Sequence, residues 1–500
     1  MKSKKVIVFL EIWFIAQATY FVTAQNQPND AEIAKKQHEA IGITEDTKST
    51  YKATTHEDAK WFETVGFGMF IHWGICSVRT IDSSWPMMPG TQIAWNGYKY
   101  SQDSIDMYLK KGDYFAGHPC KKNNSCITPN EYWSLAQQFA PKHYNPDTWA
   151  KLAKAAGMKY MVLTTRHHDG FALWPSKFGN FSTLNYLNGT DYVASFVKAC
   201  RKYGLKVGLY YSGPDWYVNR HFMTFLYPGI EKKYKNVPVL DANLQPVQRP
   251  WTEQQKQDHS DSMAVYIRGQ VKELLTNYGK IDMIWFDGSP SISKSSWSKC
   301  ISMKEIRELQ PGIVVSPRFF GYGDFKTYEG DINLPTNKQS EWAELCSTVE
   351  NGWGYTQAPL KPIDQLIEML VLCRSVNTNF LLNFGPDKDG RFSTEMRSHL
   401  AILSVWIKKY GKAIDNCIAL PDTETASVPA TAKGNHRYLF VFKNYSKEVI
   451  NYRSSLTIRK VVNLTTGNPL KFIKNKNGYD INVVFTKQTK FPQVIDVELS

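Results

Sequence analysis

Little in this sequence marks a fibre, a repeat array or a reader of nucleic acid. No segment repeats at a fixed period and no tract is compositionally simple, which removes solenoids and long disordered linkers. No cysteine and histidine spacing fits a zinc site, and no nucleic-acid-binding motif accompanies the basic charge. Eight cysteines suit an oxidising compartment without requiring one. Long apolar runs are missing too, apart from one at the N-terminus. There Lys2, Lys4 and Lys5 precede a mostly apolar stretch from Val6 to Tyr20, broken by Glu11, and Val22-Thr23-Ala24 offers small residues before Gln25. The pattern predicts a secretory signal peptide over residues 1–24. The uninterrupted run from Ile12 is too short to span a bilayer comfortably, so no membrane span is expected in the mature chain. The expected location is outside the cell, in a periplasm or, in a eukaryote, in a lysosome.

Acidic residues are in deficit. The net charge of +14 becomes +12 once three Lys and Glu11 leave with the signal. A basic secreted protein is drawn to polyanions, and a sulfated or uronate-bearing polysaccharide suits that setting better than nucleic acid. Aromatic side chains are plentiful, with 15 Trp and 27 Tyr, and stacked aromatic faces commonly hold sugar rings.

Five hundred residues exceed one compact core unless that core is a barrel. Residues 25–57 are polar, as in a tether or strap. From residue 58 to 418 short apolar strands alternate with amphipathic helices. Trp149, Leu152, Ala153 and Ala156 keep helical spacing between a cap at Asp147 and a stop at Gly157, and the strand Lys159 to Leu163 follows. Val193, Phe196, Val197 and Cys200 repeat the unit up to Gly204, before the strand Leu205 to Tyr210. Ile267, Val271, Leu274 and Leu275 repeat it up to Gly279, before the strand Ile281 to Phe286. Such alternation predicts a parallel sheet. Residues 419–500 change texture: Tyr438 to Phe442, Leu456 to Ile458 and Ile481 to Phe485 predict short strands of a β-sandwich.

Polar residues close the apolar strands at Phe70-Ile71-His72-Trp73, Thr165-Arg166-His167-His168-Asp169-Gly170, Gly208-Leu209-Tyr210-Tyr211 and Ile284-Trp285-Phe286-Asp287. An open sheet would concentrate such ends at one switch point. Their recurrence at nearly every strand favours a (β/α) barrel with its active site at the strands' C-terminal ends. Asp287 is the expected nucleophile or base. Glu329 is the expected partner carboxylate, with Glu344 as the alternative. Their separation would decide between retention, at about 5–5.5 Å, and inversion, at about 6.5–9.5 Å. His167, His168 and Asp169 are metal-ligand types. Adjacent strand residues point to opposite faces, however, so no metal is expected, and no cofactor is called for. Cys120 and Cys126, across a short polar loop, are the disulfide candidates. Asn188-Gly189-Thr190 and Asn463-Leu464-Thr465 are glycosylation sequons for a eukaryotic host.

Gly66-Phe67-Gly68-Met69-Phe70-Ile71-His72-Trp73-Gly74, the histidine pair, Gly208 to Ser212, Trp285-Phe286-Asp287-Gly288 and Asn379 to Pro386 together resemble, in order, the signatures of the α-L-fucosidases of glycoside hydrolase family 29. The resemblance spans residues 60 to 415. It implies a (β/α) barrel with a β-sandwich and a retaining exo-hydrolase that releases terminal α-L-fucose. It further implies Asp287 as nucleophile, Glu329 as acid/base, and His72, His167, His168, Tyr211, Trp285 and Arg318 as sugar contacts. Trp73, beside His72 in its motif, and Trp95 complete the expected contacts. The sequence departs from the family pattern at Tyr328, where proline is usual, and at Ala343, where tryptophan is common. Ala94-Trp95-Asn96 also stands where a Glu-Trp pair is frequent. The expected partner is a fucosylated, anionic oligo- or polysaccharide. Two rival readings are an α-L-galactosidase, whose sugar differs by one hydroxyl on C6, and a non-catalytic glycan binder on the same scaffold.

Overall fold

The computed structural model describes residues 50–91, 100–116, 118–122, 124–226, 230, 234–331, 334–483 and 490–500. The expected signal peptide, most of the polar segment and Trp95 lie outside the described residues.

Eight parallel strands form one curled sheet. They are β1 (Phe67–Ile71), β2 (Tyr160–Arg166), β3 (Lys206–Ser212), β4 (Met283–Asp287), β5 (Val314–Val315), β6 (Lys326–Glu329), β7 (Ala343–Thr348) and β8 (Thr378–Phe384). The order β5-β4-β3-β2-β1-β8-β7-β6 is that of a (β/α) barrel whose ladder is interrupted between β5 and β6. Asp324 bridges this seam: its backbone N–H donates to Val315 O at 2.9 Å, and its carboxylate accepts from Val315 N at 2.8 Å.

Helices cover the outside at Pro146–Ala155, Tyr192–Lys202, Glu253–Thr276, Met303–Leu309, Ile363–Ser375 and Thr394–Tyr410. They end within a few residues of the predicted stops. The cap of the first differs, because Asn145 accepts from Thr148 N while Asp147 sits in the first turn and pairs with Lys202. Asparagine fits there because an N-cap side chain must reach back to a free backbone N–H, whereas a first-turn carboxylate only meets the helix dipole.

Strand alternation divides the core in two. Phe70, Tyr160, Val162, Tyr210, Met283, Trp285, Cys346 and Leu381 fill the barrel interior. Ile71, Leu163, Leu209, Tyr211, Ile284 and Phe286 pack outward beneath the helices.

Two antiparallel sheets follow: a four-stranded one and a five-stranded one, with a separate core built from Leu439, Val441, Ile450, Tyr452, Tyr479, Ile481 and Val497. This is the β-sandwich. The strand expected from Leu456 begins only at Ile458, since Leu456 is exposed and Ile458 is the first residue turned into that core. The strand expected through Phe485 is described as Gly478–Asn482, and Phe485 itself lies outside the described residues. Cys120 and Cys126 are joined by a disulfide. Among the described residues no helix is long and apolar enough to cross a membrane.

Candidate active site

Asp287 closes β4, two residues after Trp285 and so on the same, inward face. Its Oδ2 accepts from the Tyr210 hydroxyl at 2.8 Å, and Nε2 of His168 stands 3.7 Å from the same oxygen. Its Oδ1 lies 3.3 Å from Nη1 of Arg318, from the loop after β5. Nη1 also reaches Oε2 of Glu329, the last residue of β6, at 2.7 Å. One nitrogen therefore touches both carboxylates. The two oxygens can be no farther apart than the sum of those distances, 6.0 Å. Burial pushes the Asp287 carboxyl up, but Arg318, His168 and the Tyr210 hydroxyl outweigh it and hold the group below its usual range. Asp287 is ionised at neutral pH.

Three histidines line the same mouth. Nδ2 of Asn383 donates to Trp353 O, which leaves its Oδ1 to accept from the His72 backbone at 3.1 Å and from His72 Nδ1 at 2.7 Å. Ser212 donates its hydroxyl proton to Pro214 O, so its oxygen accepts from Nδ1 of His168, 2.5 Å away. In both histidines Nδ1 thus carries the proton and Nε2 keeps a lone pair. Burial pushes both rings down to about 4, which leaves them neutral at pH 7. His167 contacts Ser84 Oγ through Nδ1 at 2.6 Å, and burial lowers its pKa well below the usual imidazole value. The alternation argument that separated His167 from His168 fails, because β2 ends at Arg166 and the pair lies beyond the ladder. Their rings are 4.4 Å apart, and with Asp287 they bring three ligand-type atoms within 4.8 Å of one another.

Other expected site residues lie elsewhere. Tyr211 points away from the barrel, donating to Gln270 Oε1 at 3.0 Å beneath the Arg166 guanidinium. A single step along a strand reverses the face, so Tyr210 takes the place in the site expected for Tyr211. Trp73 is turned outward likewise, stacked on Tyr144 with centroids 4.9 Å apart and donating to Asp387 O at 2.8 Å. Glu344 is wholly buried beneath the site, and burial pushes its carboxyl up to about 7 against the pull of its hydrogen bonds.

Sequence reasoning missed Tyr210, Asn383 and three tryptophans. Trp353 lies 4.9 Å from the His72 ring, while Trp85 and Trp216 lie 5.3 and 5.1 Å from His168. Alternation places Asp287 and Trp285 on the inward face of β4, and the register pairing Tyr210 with Trp285 carries that face onto β3. Trp353 sits between Gly352 and Gly354 in the loop after β7, a signal that went unread.

The family model described as Alpha-L-fucosidase matches residues 33–412. The chain belongs to the alpha-L-fucosidase family. It is accordingly a glycoside hydrolase. It is 26% identical over 418 residues to the tissue alpha-L-fucosidase of Macaca fascicularis, covering 79% of this chain and 78% of the relative. Alpha-L-fucosidase isoenzyme 1 of Paenibacillus thiaminolyticus is similar in structure, with a TM-score of 0.67, 27% identity, and coverage of 89% of this chain and 99% of that one. The Thermotoga maritima alpha-fucosidase, solved in complex with fucose, superposes with a TM-score of 0.61 at 25% identity, covering 88% of this chain and 96% of that one.

Proposed function

We propose that the protein is a secreted, retaining exo-α-L-fucosidase acting on terminal α-L-fucose of fucosylated, anionic glycans. The observation that carries the mechanism is the contact of one Arg318 nitrogen with both Asp287 and Glu329. A ceiling of 6.0 Å between Asp287 Oδ1 and Glu329 Oε2 supports retention, in which the two carboxyl groups stand about 5–5.5 Å apart. Asp287 attacks the anomeric carbon as Glu329 gives its proton to the departing oxygen, and a glycosyl ester forms on Asp287. Glu329 then takes a proton from water, whose oxygen attacks the same carbon and releases Asp287 as carboxylate. Arg318 and Tyr210 keep Asp287 ionised until substrate arrives. The unprotonated Nε2 atoms of His72 and His168 accept sugar hydroxyls. The apolar C5-methyl of fucose finds an aromatic face among the surrounding tryptophans. The basic net charge supports an anionic acceptor, and the N-terminal signal pattern supports secretion.

The test uses aryl α-L-fucosides with good and poor leaving groups, paired with the matching α-L-galactosides. Asp287→Ala should lose several orders of magnitude of kcat on both fucosides. Glu329→Ala should lose most on the poor leaving group, and added azide should raise its turnover of the good leaving group by attacking the glycosyl ester in place of water. Wild-type turnover by Asp287→Ala would overturn the mechanism, and faster cleavage of the galactosides would reassign the sugar.

A further inference from the structure

Glu344 is a carboxylate of the barrel interior that the hydrolytic steps leave unused. It lies on β7 with no exposed surface. Its Oε2 accepts from the Tyr160 hydroxyl at 2.6 Å and its Oε1 from the Trp285 indole N–H at 2.8 Å. Tyr160 reaches this spot only because residue 68 is glycine, where a Cβ would come within 2.3 Å of the Tyr160 ring. Two residues of the site pack on the Trp285 ring system. The Tyr210 ring stacks on it at 5.7 Å and 14°, and the Arg318 guanidinium lies 5.0 Å from its centroid. Tyr210 and Arg318 are the donors to Asp287, and Arg318 also holds Glu329.

We propose that Glu344 is a positioning residue for the hydrolysis, whose ionised form fixes the Trp285 indole on which the two donors to the nucleophile rest. This rests on the reading of Asp287 as nucleophile. The chemistry of the bonds gives the reason. An indole N–H can only donate, so Trp285 requires an acceptor there. A carboxylate accepts from both neighbours at once. A protonated acid has its own hydrogen to place against two groups that already donate, so Tyr160 must turn its hydroxyl away and the indole loses its strongest anchor. Burial sets the change of state near neutrality, at about 7. The groups facing Glu344 are Arg318 from above, Cys346 on its own strand and Tyr160 from β2, with Arg374 behind Tyr160. Uncharged Thr327 and Asn379 flank it on β6 and β8.

The experiment is a pH profile of kcat for the full enzyme and for Glu344→Gln, on aryl fucosides with good and poor leaving groups. The wild type should show a break near pH 7, with lower kcat on the acid side. Glu344→Gln should lose that break and run at every pH at the lower level, about tenfold down, the size of one charge-assisted hydrogen bond. The loss should be the same for both leaving groups, with KM nearly unchanged. Should Glu344→Gln fail to fold, Trp285→Phe, which keeps a ring and removes the N–H, should abolish the break in the same way. A wild-type profile in the folded variants overturns the positioning role. A loss much larger on the poor leaving group, with azide accelerating turnover of the good one, makes Glu344 the proton donor and overturns it too. Asp287→Ala, run alongside, separates these outcomes from failure of the underlying reading, since only that failure leaves Asp287→Ala active.

Discussion

Tyr210 donates its hydroxyl proton to Oδ2 of Asp287 at 2.8 Å, from the strand that lies beside the one Asp287 closes. The bond crosses from one inward face to the next, and it is shorter than the Arg318 contact to the same carboxylate. Tyr210→Phe should therefore cost about 10- to 100-fold in kcat/KM, the range for a hydrogen bond to a charged group. Tyr211→Phe should leave activity per folded molecule unchanged and remove about 1 kcal/mol of stability with its bond to Gln270. Fucoside kinetics beside urea denaturation separates the two neighbours, and equal kinetic effects would refute the assignment.

Arg318 is the charge that overcomes the burial of Asp287. As the proposed nucleophile Asp287 acts ionised, and its pKa is depressed, so the acid limb of kcat/KM should lie below the usual carboxylate range. Arg318→Met leaves burial unopposed by that charge and faces Asp287 with Glu329. The limb should then move to higher pH. An unmoved limb in the pH–rate profile would contradict the role of the arginine.

The protein's stability should respond to pH through buried groups of opposite sign. His72, His118 and His168 titrate at about 4 when folded and about 6.5 when unfolded, so their contribution is full above 6.5 and is lost as pH falls towards 4. Glu344 and Asp169 are raised to about 7 and about 6, so theirs is full at low pH and is lost as pH rises through those values. Glu344→Gln removes one of the opposing contributions. Its melting temperature should climb more steeply than that of the wild type between pH 4.5 and 7 by calorimetry.

Gly213 packs against the turn that follows Asp287. It donates to Asp287 O at 2.9 Å, and a Cβ there would stand 2.0 Å from Gly288 O. Gly213→Ala must shift the Asp287 backbone, and a displacement of about 1 Å costs on the order of 100-fold in turnover. A near-normal kcat would show that the turn can yield without moving Asp287.

The two sequons differ in structure. Asn188 and Thr190 are exposed, whereas Asn463 is buried, accepting from Thr465 N at 2.9 Å and donating to Gln493 at 2.9 Å. After expression through a eukaryotic secretory pathway, a glycan should be found on Asn188 and none on Asn463 by peptide mass spectrometry.

Strand and helix alternation, the change of texture near residue 419 and the polar strand ends were legible in the sequence because each depends on neighbours a few residues apart. Hydrophobic periodicity set the elements, polar strand ends pointed to Asp287 and the three histidines, the loop beyond them offered Glu329, and Arg318 came only from the family resemblance. Which neighbour faces the sugar was a different matter. Tyr210 and Tyr211 are the same residue type one position apart, and only the register of β3 against β4 turns the first inward. The histidine pair converges because β2 stops one residue before it, and a strand's last hydrogen bond is set by its partners. Glu344 reads in sequence as a plausible acid. Burial beneath Trp285, which requires strands β2, β4 and β7 to close around one interior, sets its carboxylate against the indole and the Tyr160 hydroxyl.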